Sequence, residues 1–181
     1  MSEDQAQGPV RYVVIVTGEE LITGQRTDSH IPFLTKTLNA LGLECAYGFL
    51  AGDAGPDLAR LIRLALEEAP LVIVTGGLGP TVDDVTREAV SEATGIPLAE
   101  NPEALKQLKA RFRAFRRPMT GNNRRQAQTP TRGGFFPNPN GTAPGLYYDA
   151  GDRLVIALPG PPRELVPMVN EQLVPFLEER Y

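Results

Sequence analysis

Apolar positions along the chain fall into two alternating kinds of run. Tyr12-Val13-Val14-Ile15-Val16 and Leu71-Val72-Ile73-Val74 are short, continuous and β-branched, which predicts strands buried on both faces. Leu43 to Leu50 is a third short run and predicts another strand. Between them the spacing changes to three and four. Ile31, Leu34, Leu38 and Leu41 predict a helix capped by Asp28 or Ser29 and ended by Gly42. Leu58, Leu61, Ile62, Ala65 and Leu66 predict a second over Pro56 to Ala69, and Arg87 to Ala93 reads as a third. The order β-α-β-α-β-α predicts a parallel sheet with helices on both faces.

The second half is less regular. Asn101-Pro102 starts a helix to about Arg116, Pro118 breaks it, and Asn122 to Gln128 predicts a short helix. Gly134-Phe135-Phe136 predicts a strand. Gly145 to Tyr148 and Arg153 to Leu158, joined at Asp149-Ala150-Gly151-Asp152, predict a hairpin that makes the sheet mixed. A final helix opens at Pro162 or Arg163. The fold class is therefore α/β, with a mostly parallel mixed sheet. Residues 11–181 form one domain, and residues 1–10 read as a polar, mobile tail.

Composition narrows the chemistry. The 181 residues are 41% hydrophobic and 22% charged, with a net charge of −4. That balance opposes broad binding to nucleic acid or an anionic membrane. No apolar run reaches membrane-spanning length and no secretory signal is visible, so a cytoplasmic protein is expected. Cys45 is the only cysteine and His30 the only histidine, which excludes a disulfide within the chain and a histidine-rich zinc site.

The densest candidate chemistry is Thr75-Gly76-Gly77-Leu78-Gly79-Pro80-Thr81, followed by Asp83 and Asp84. It leaves a strand and enters a helix, where open α/β sheets bind ligands. Glycines let backbone amides close on an anion, and the helix start adds a positive dipole end. The spacing matches neither a P-loop nor a dinucleotide fingerprint. Adjacent helix-start carboxylates diverge by about 100°, so one of the two caps the helix and the other, Asp83 by preference, faces a metal or a water. Thr17 to Gln25 leaves the first strand, and its Glu20 is either a ligand to a metal or a ribose hydroxyl, or simply solvated. Asn140, Gly141 and Thr142 sit in a turn-rich segment whose polar groups suit a nucleotide. Pro159 and Gly160 form another strand-to-helix turn, with Arg163 just beyond it. The arginines from Arg111 to Arg117 read as a solvated helix face, and His30 as a polar helix-start residue.

Taken together, these motifs resemble the competence/damage-inducible CinA family: Gly18 to Gln25, Thr75 to Thr86, Met119 to Ala127, Asn138 to Gly145, and Leu158 to Glu164. The resemblance runs from about Arg11 onward and covers that family's N-terminal domain, similar to the molybdopterin-binding MoaB/MogA domain, not its C-terminal amidase domain. It implies a three-layer α/β/α fold and a homo-oligomer. It also implies a metal-dependent hydrolase that cleaves ADP-ribose to AMP and ribose 5-phosphate. In that reading Thr75, Gly76, Gly77, Leu78, Gly79, Asn140, Gly141, Thr142, Pro159 and Gly160 bind phosphate or nucleotide. Asp83 and Asp84 are catalytic, and Asp83 with Glu20 holds Mg²⁺ or a similar ion. The wider superfamily implies the alternative of molybdopterin binding or adenylyl transfer. A nucleotide sensor without catalysis is the third reading. Glu19 and His30 stand where the family usually has threonine and asparagine.

Overall fold

In the computed structural model, residues 8–181 are described. The expected tail lies outside them except for its last three residues. Among the described residues, eight strands and eight α-helices follow one another. The first half comprises β1 (Arg11–Thr17), α1 (Glu19–Ile22), α2 (His30–Asn39), β2 (Glu44–Ala51), α3 (Gly55–Glu68), β3 (Leu71–Thr75) and α4 (Thr86–Thr94). The second comprises β4 (Leu98–Glu100), α5 (Pro102–Ala114), α6 (Gly121–Arg124), β5 (Gln128–Pro130), β6 (Gly133–Phe136), β7 (Gly145–Asp149), β8 (Leu154–Leu158), α7 (Pro162–Met168) and α8 (Val174–Arg180).

Six strands form one sheet in the order β2-β1-β3-β8-β7-β6. The first four run parallel, and β7 and β6 are antiparallel additions. Successive residues of β1, β3 and β8 point to opposite faces, and each face has its own core. Val13, Ile15, Val72, Val74, Val155 and Ala157 pack under α3 and α4. Tyr12, Val14, Val16, Leu71, Ile73, Ile156 and Leu158 pack against α2 and the α7–α8 segment. The three-layer α/β/α architecture with a mostly parallel mixed sheet is thus realised.

Three features depart from expectation. Leu98–Glu100 and Gln128–Pro130 pair as a separate two-stranded sheet, too short to leave an alternation in the sequence. The polar loop after β1 contains the one-turn helix α1. The final helix is continuous in space but carries Pro167 and widens to a π turn over Val169–Leu173, which keeps Leu173 and Leu177 in the core. Among the described residues no helix is long and apolar enough to cross a membrane.

Candidate functional site

The neighbouring parallel strands β1, β3 and β8 end on the same rim of the sheet, so the loops that leave them converge. A cleft of about 530 Å³ lies there, lined by the loop after β1, the glycine loop after β3, the turn after β8, the start of α2, and Gln126, Thr142 and Ala143.

The glycine loop has the shape its sequence requires. Gly76 and Gly77 have φ of 96° and 64°, a region that side chains with Cβ rarely occupy. A Cβ at Gly76 would also meet Thr17, and one at Gly77 would strike the Thr86 hydroxyl. One expectation needs correction here. The Gly76 amide is not free to hold a phosphate, because it donates to the Leu158 carbonyl at 3.0 Å and ties β3 to β8. The amides of Gly77, Leu78 and Gly79 have no acceptor among the described residues. Leu78 offers only its backbone, since its side chain is buried in the core beneath α4. These are three consecutive unengaged N–H groups in the loop between β3 and α4, a geometry able to receive an anion; the first amide of α4, that of Thr86, is spent on the Gly77 carbonyl at 3.1 Å.

The two aspartates have separated roles. The Asp84 carboxylate accepts from the Thr81 amide at 2.8 Å and the Thr81 hydroxyl at 2.6 Å, closing the turn before α4. Asp83 is exposed, lines the cleft and has no hydrogen-bond partner among the described residues. Glu20 lines the same cleft from α1. No three side chains of metal-ligating type converge among the described residues. A magnesium ion is commonly held by one or two carboxylates, with substrate phosphates and water completing its shell. Asp83 and Glu20 both line the cleft and are the carboxylates available for such an arrangement, which differs from a closed protein cage.

The remaining expected residues divide. Pro159 and Gly160 line the cleft, whereas Thr75 is fully buried and does not line it, reaching it only through the hydroxyl that meets His30. Thr142 lines the cleft and its hydroxyl accepts from Gln126 Nε2 at 3.1 Å. Asn140 is exposed and outside the cleft lining, its amide spent on the Asn138 side chain at 3.0 Å. Gly141 is buried behind the cleft, where the Glu164 carboxylate and the Asn138 amide leave no room for a Cβ. Buried Asn138 organises this turn by donating to Ala143 O and Glu164 Oε2, each at 2.8 Å.

Three lining residues, of which the sequence places Gln126 and His30 near a ligand only as secondary readings, have a larger part in the cleft than expected. His30 is not a bystander at a helix start: its Nδ1 lies 2.9 Å from the Thr75 hydroxyl inside the cleft. Burial is the main cause that lowers its pKa below 6.5, and Arg26 adds to this while Asp28 opposes it. Gln126 and Glu164, both nearly buried, also face the cleft. Their presence within Met119 to Ala127 and Leu158 to Glu164 was the available signal.

The chain matches the family described as "Probable molybdopterin binding domain" over residues 13–179. It is 42% identical over 168 residues to a competence-damage inducible protein of Symbiobacterium thermophilum, covering 92% of this chain and 39% of that protein. A protein of the same description from Acetivibrio thermocellus is 38% identical over 167 residues, with coverage of 92% and 40%. The chain thus spans about two fifths of the length of these relatives. Among solved structures, the protein CinA of unknown function from Thermoplasma acidophilum aligns with a TM-score of 0.84 and 31% identity, covering 91% of this chain and 98% of that one. The tungsten cofactor synthesizing protein MoaB from Pyrococcus furiosus has the same fold, with a TM-score of 0.60, 18% identity and coverage of 96% and 98%.

Proposed function

The chain belongs to the molybdopterin-binding-domain family that its sequence matches, and on that premise we propose that its cleft binds a phosphorylated pterin of the molybdopterin class. The observation that carries this reading is the run of three unengaged amides at Gly77, Leu78 and Gly79, in the loop that leaves β3 at the cleft. Their N–H groups take the phosphate oxygens without a charged side chain. The turn at Pro159-Gly160 and the Gln126–Thr142 pair bound the space left for a planar ring. The test is to purify the protein from a host that makes molybdopterin, then denature and oxidise it. A fluorescent pterin is expected from the wild type and not from Gly77→Ala. No pterin bound, and none taken up on addition, would remove this reading.

A second reading rests on the free carboxylate of Asp83 in the same cleft and on the competence-damage inducible relatives. It is hydrolysis of a nucleotide pyrophosphate, with ADP-ribose giving AMP and ribose 5-phosphate. The glycine-loop amides hold one phosphate, and Asp83 accepts a proton from water as that water adds to phosphorus. The bridging P–O bond breaks, and the two monophosphates leave. Asp83 with Glu20 would hold a divalent ion, which when bound neutralises charge on the phosphate oxygens. AMP release from ADP-ribose in the presence of Mg²⁺, Mn²⁺ or Co²⁺, lost in Asp83→Ala, is the expected result. No turnover with any of these ions in folded protein would leave binding alone.

A further inference from the structure

The glycine loop rests on a buried charge that neither reading above uses. Arg87, the second residue of α4, is fully buried. Its Nη2 donates to the Leu78 carbonyl at 3.0 Å. Its Nε and Nη1 have no partner among the described residues. Two carboxylates lie near its charge without pairing with it: Glu88 accepts from Arg125 at 2.8 Å through Oε1 and keeps a buried Oε2 that has no partner among the described residues, and Asp84 closes the Thr81 turn through Oδ2. The neighbouring Tyr148 hydroxyl donates to the Arg87 carbonyl, not to a carboxylate. A guanidinium stays ionised in a protein interior, and an unpaired buried charge is costly. A negative charge arriving at the loop would offset that cost.

The peptide geometry supplies the route. Across a trans peptide the C=O and the following N–H point in opposite directions. The Leu78 carbonyl points inward to Arg87, so the Gly79 N–H points away from Arg87, on the side where Gly79 lines the cleft. We propose that Arg87 is a positioning residue of the ligand site, which aims the Gly79 amide at the ligand and makes the loop prefer a doubly charged phosphate monoester over a singly charged one. This inference rests on the reading of the loop as a phosphate cradle.

The test compares AMP with its singly charged phosphate methyl ester by calorimetry at a pH of about 7.5, above the second phosphate ionisation near ~6. The wild type is expected to bind AMP roughly tenfold more tightly than the ester. Arg87→Met is expected to bring the ratio near one while still binding the ester, and Arg87→Lys to restore part of it. A purely structural role would weaken both ligands alike and leave the ratio unchanged, which overturns the proposal. If Arg87→Met does not fold, the Arg87 Nε–H resonance of the wild type gives the answer. It shifts more with AMP than with the ester, and equal shifts overturn the proposal. A wild type that binds neither compound overturns the proposal before any variant is made, and whether that protein still retains a pterin tells this failure apart from failure of the phosphate cradle.

Discussion

Asp83 and Asp84 are neighbours in sequence with different tasks, and substitution separates them. Asp84→Ala removes two hydrogen bonds to Thr81 and is expected to cost about 1 kcal/mol, read as a lower melting temperature. Asp83→Ala removes no internal bond and is expected to leave melting unchanged while abolishing any pyrophosphate turnover. Helix geometry predicted that one of the two would cap the helix, but α4 has no side-chain cap: Asp84 bonds back to Thr81 in the turn before it, a pairing that loop shape and not helix spacing decides. The role of His30 was not legible either, because its partner Thr75 lies 45 residues away and only the adjacency of α2 to β3 brings them together. Burial favours neutral His30, so its contribution to stability is complete above pH 6.5 and is lost as pH falls through that value toward the lower folded pKa. In an NMR titration the single imidazole is expected to titrate below 6.5. His30→Asn is expected to flatten the acid side of the melting profile.

At the scale of elements, the site is a set of strand ends. The runs of β1, β3 and β8 were readable because strands buried on both faces are continuously apolar, and the loops leaving them contain the motifs. Which amide in the glycine loop is free was not readable, since Gly76 is spent on Leu158 across the sheet and sequence carries no register. The exposure of Asn140 was hidden for a similar reason: Asn138, two residues earlier, turns the segment around itself. Gly77→Ala tests the loop as an element. It forces a Cβ against the Thr86 hydroxyl at a φ of 64°, with an expected cost of about 1–3 kcal/mol. Anion affinity should fall further than stability does, and equilibrium denaturation beside phosphate titration measures the two separately.

For the whole molecule, ligand binding and folding are linked. If AMP is a ligand as proposed, a concentration about 100-fold above its dissociation constant is expected to stabilise the native state by ~2.7 kcal/mol, which for a domain of this size raises the melting temperature by about 5–10 °C. Differential scanning calorimetry across an AMP series checks this. Assembly into a homo-oligomer is a further expectation, tested by sedimentation velocity. The three-layer arrangement was legible from the alternation of strand and helix patterns, but the position of the last strand was not. β8 enters the sheet between β3 and β7 and supplies the Leu158 carbonyl that fixes Gly76. Its pairing with β3 closes a loop of more than 80 residues, so it is a slow, non-local step. The glycine loop therefore cannot acquire its shape during the early stages of synthesis on the ribosome, when only β1 to β3 are available. On the proposed reading of that loop, ligand capture is a late event, and AMP binding in a refolding experiment is expected to report the insertion of β8 rather than the first collapse of the chain.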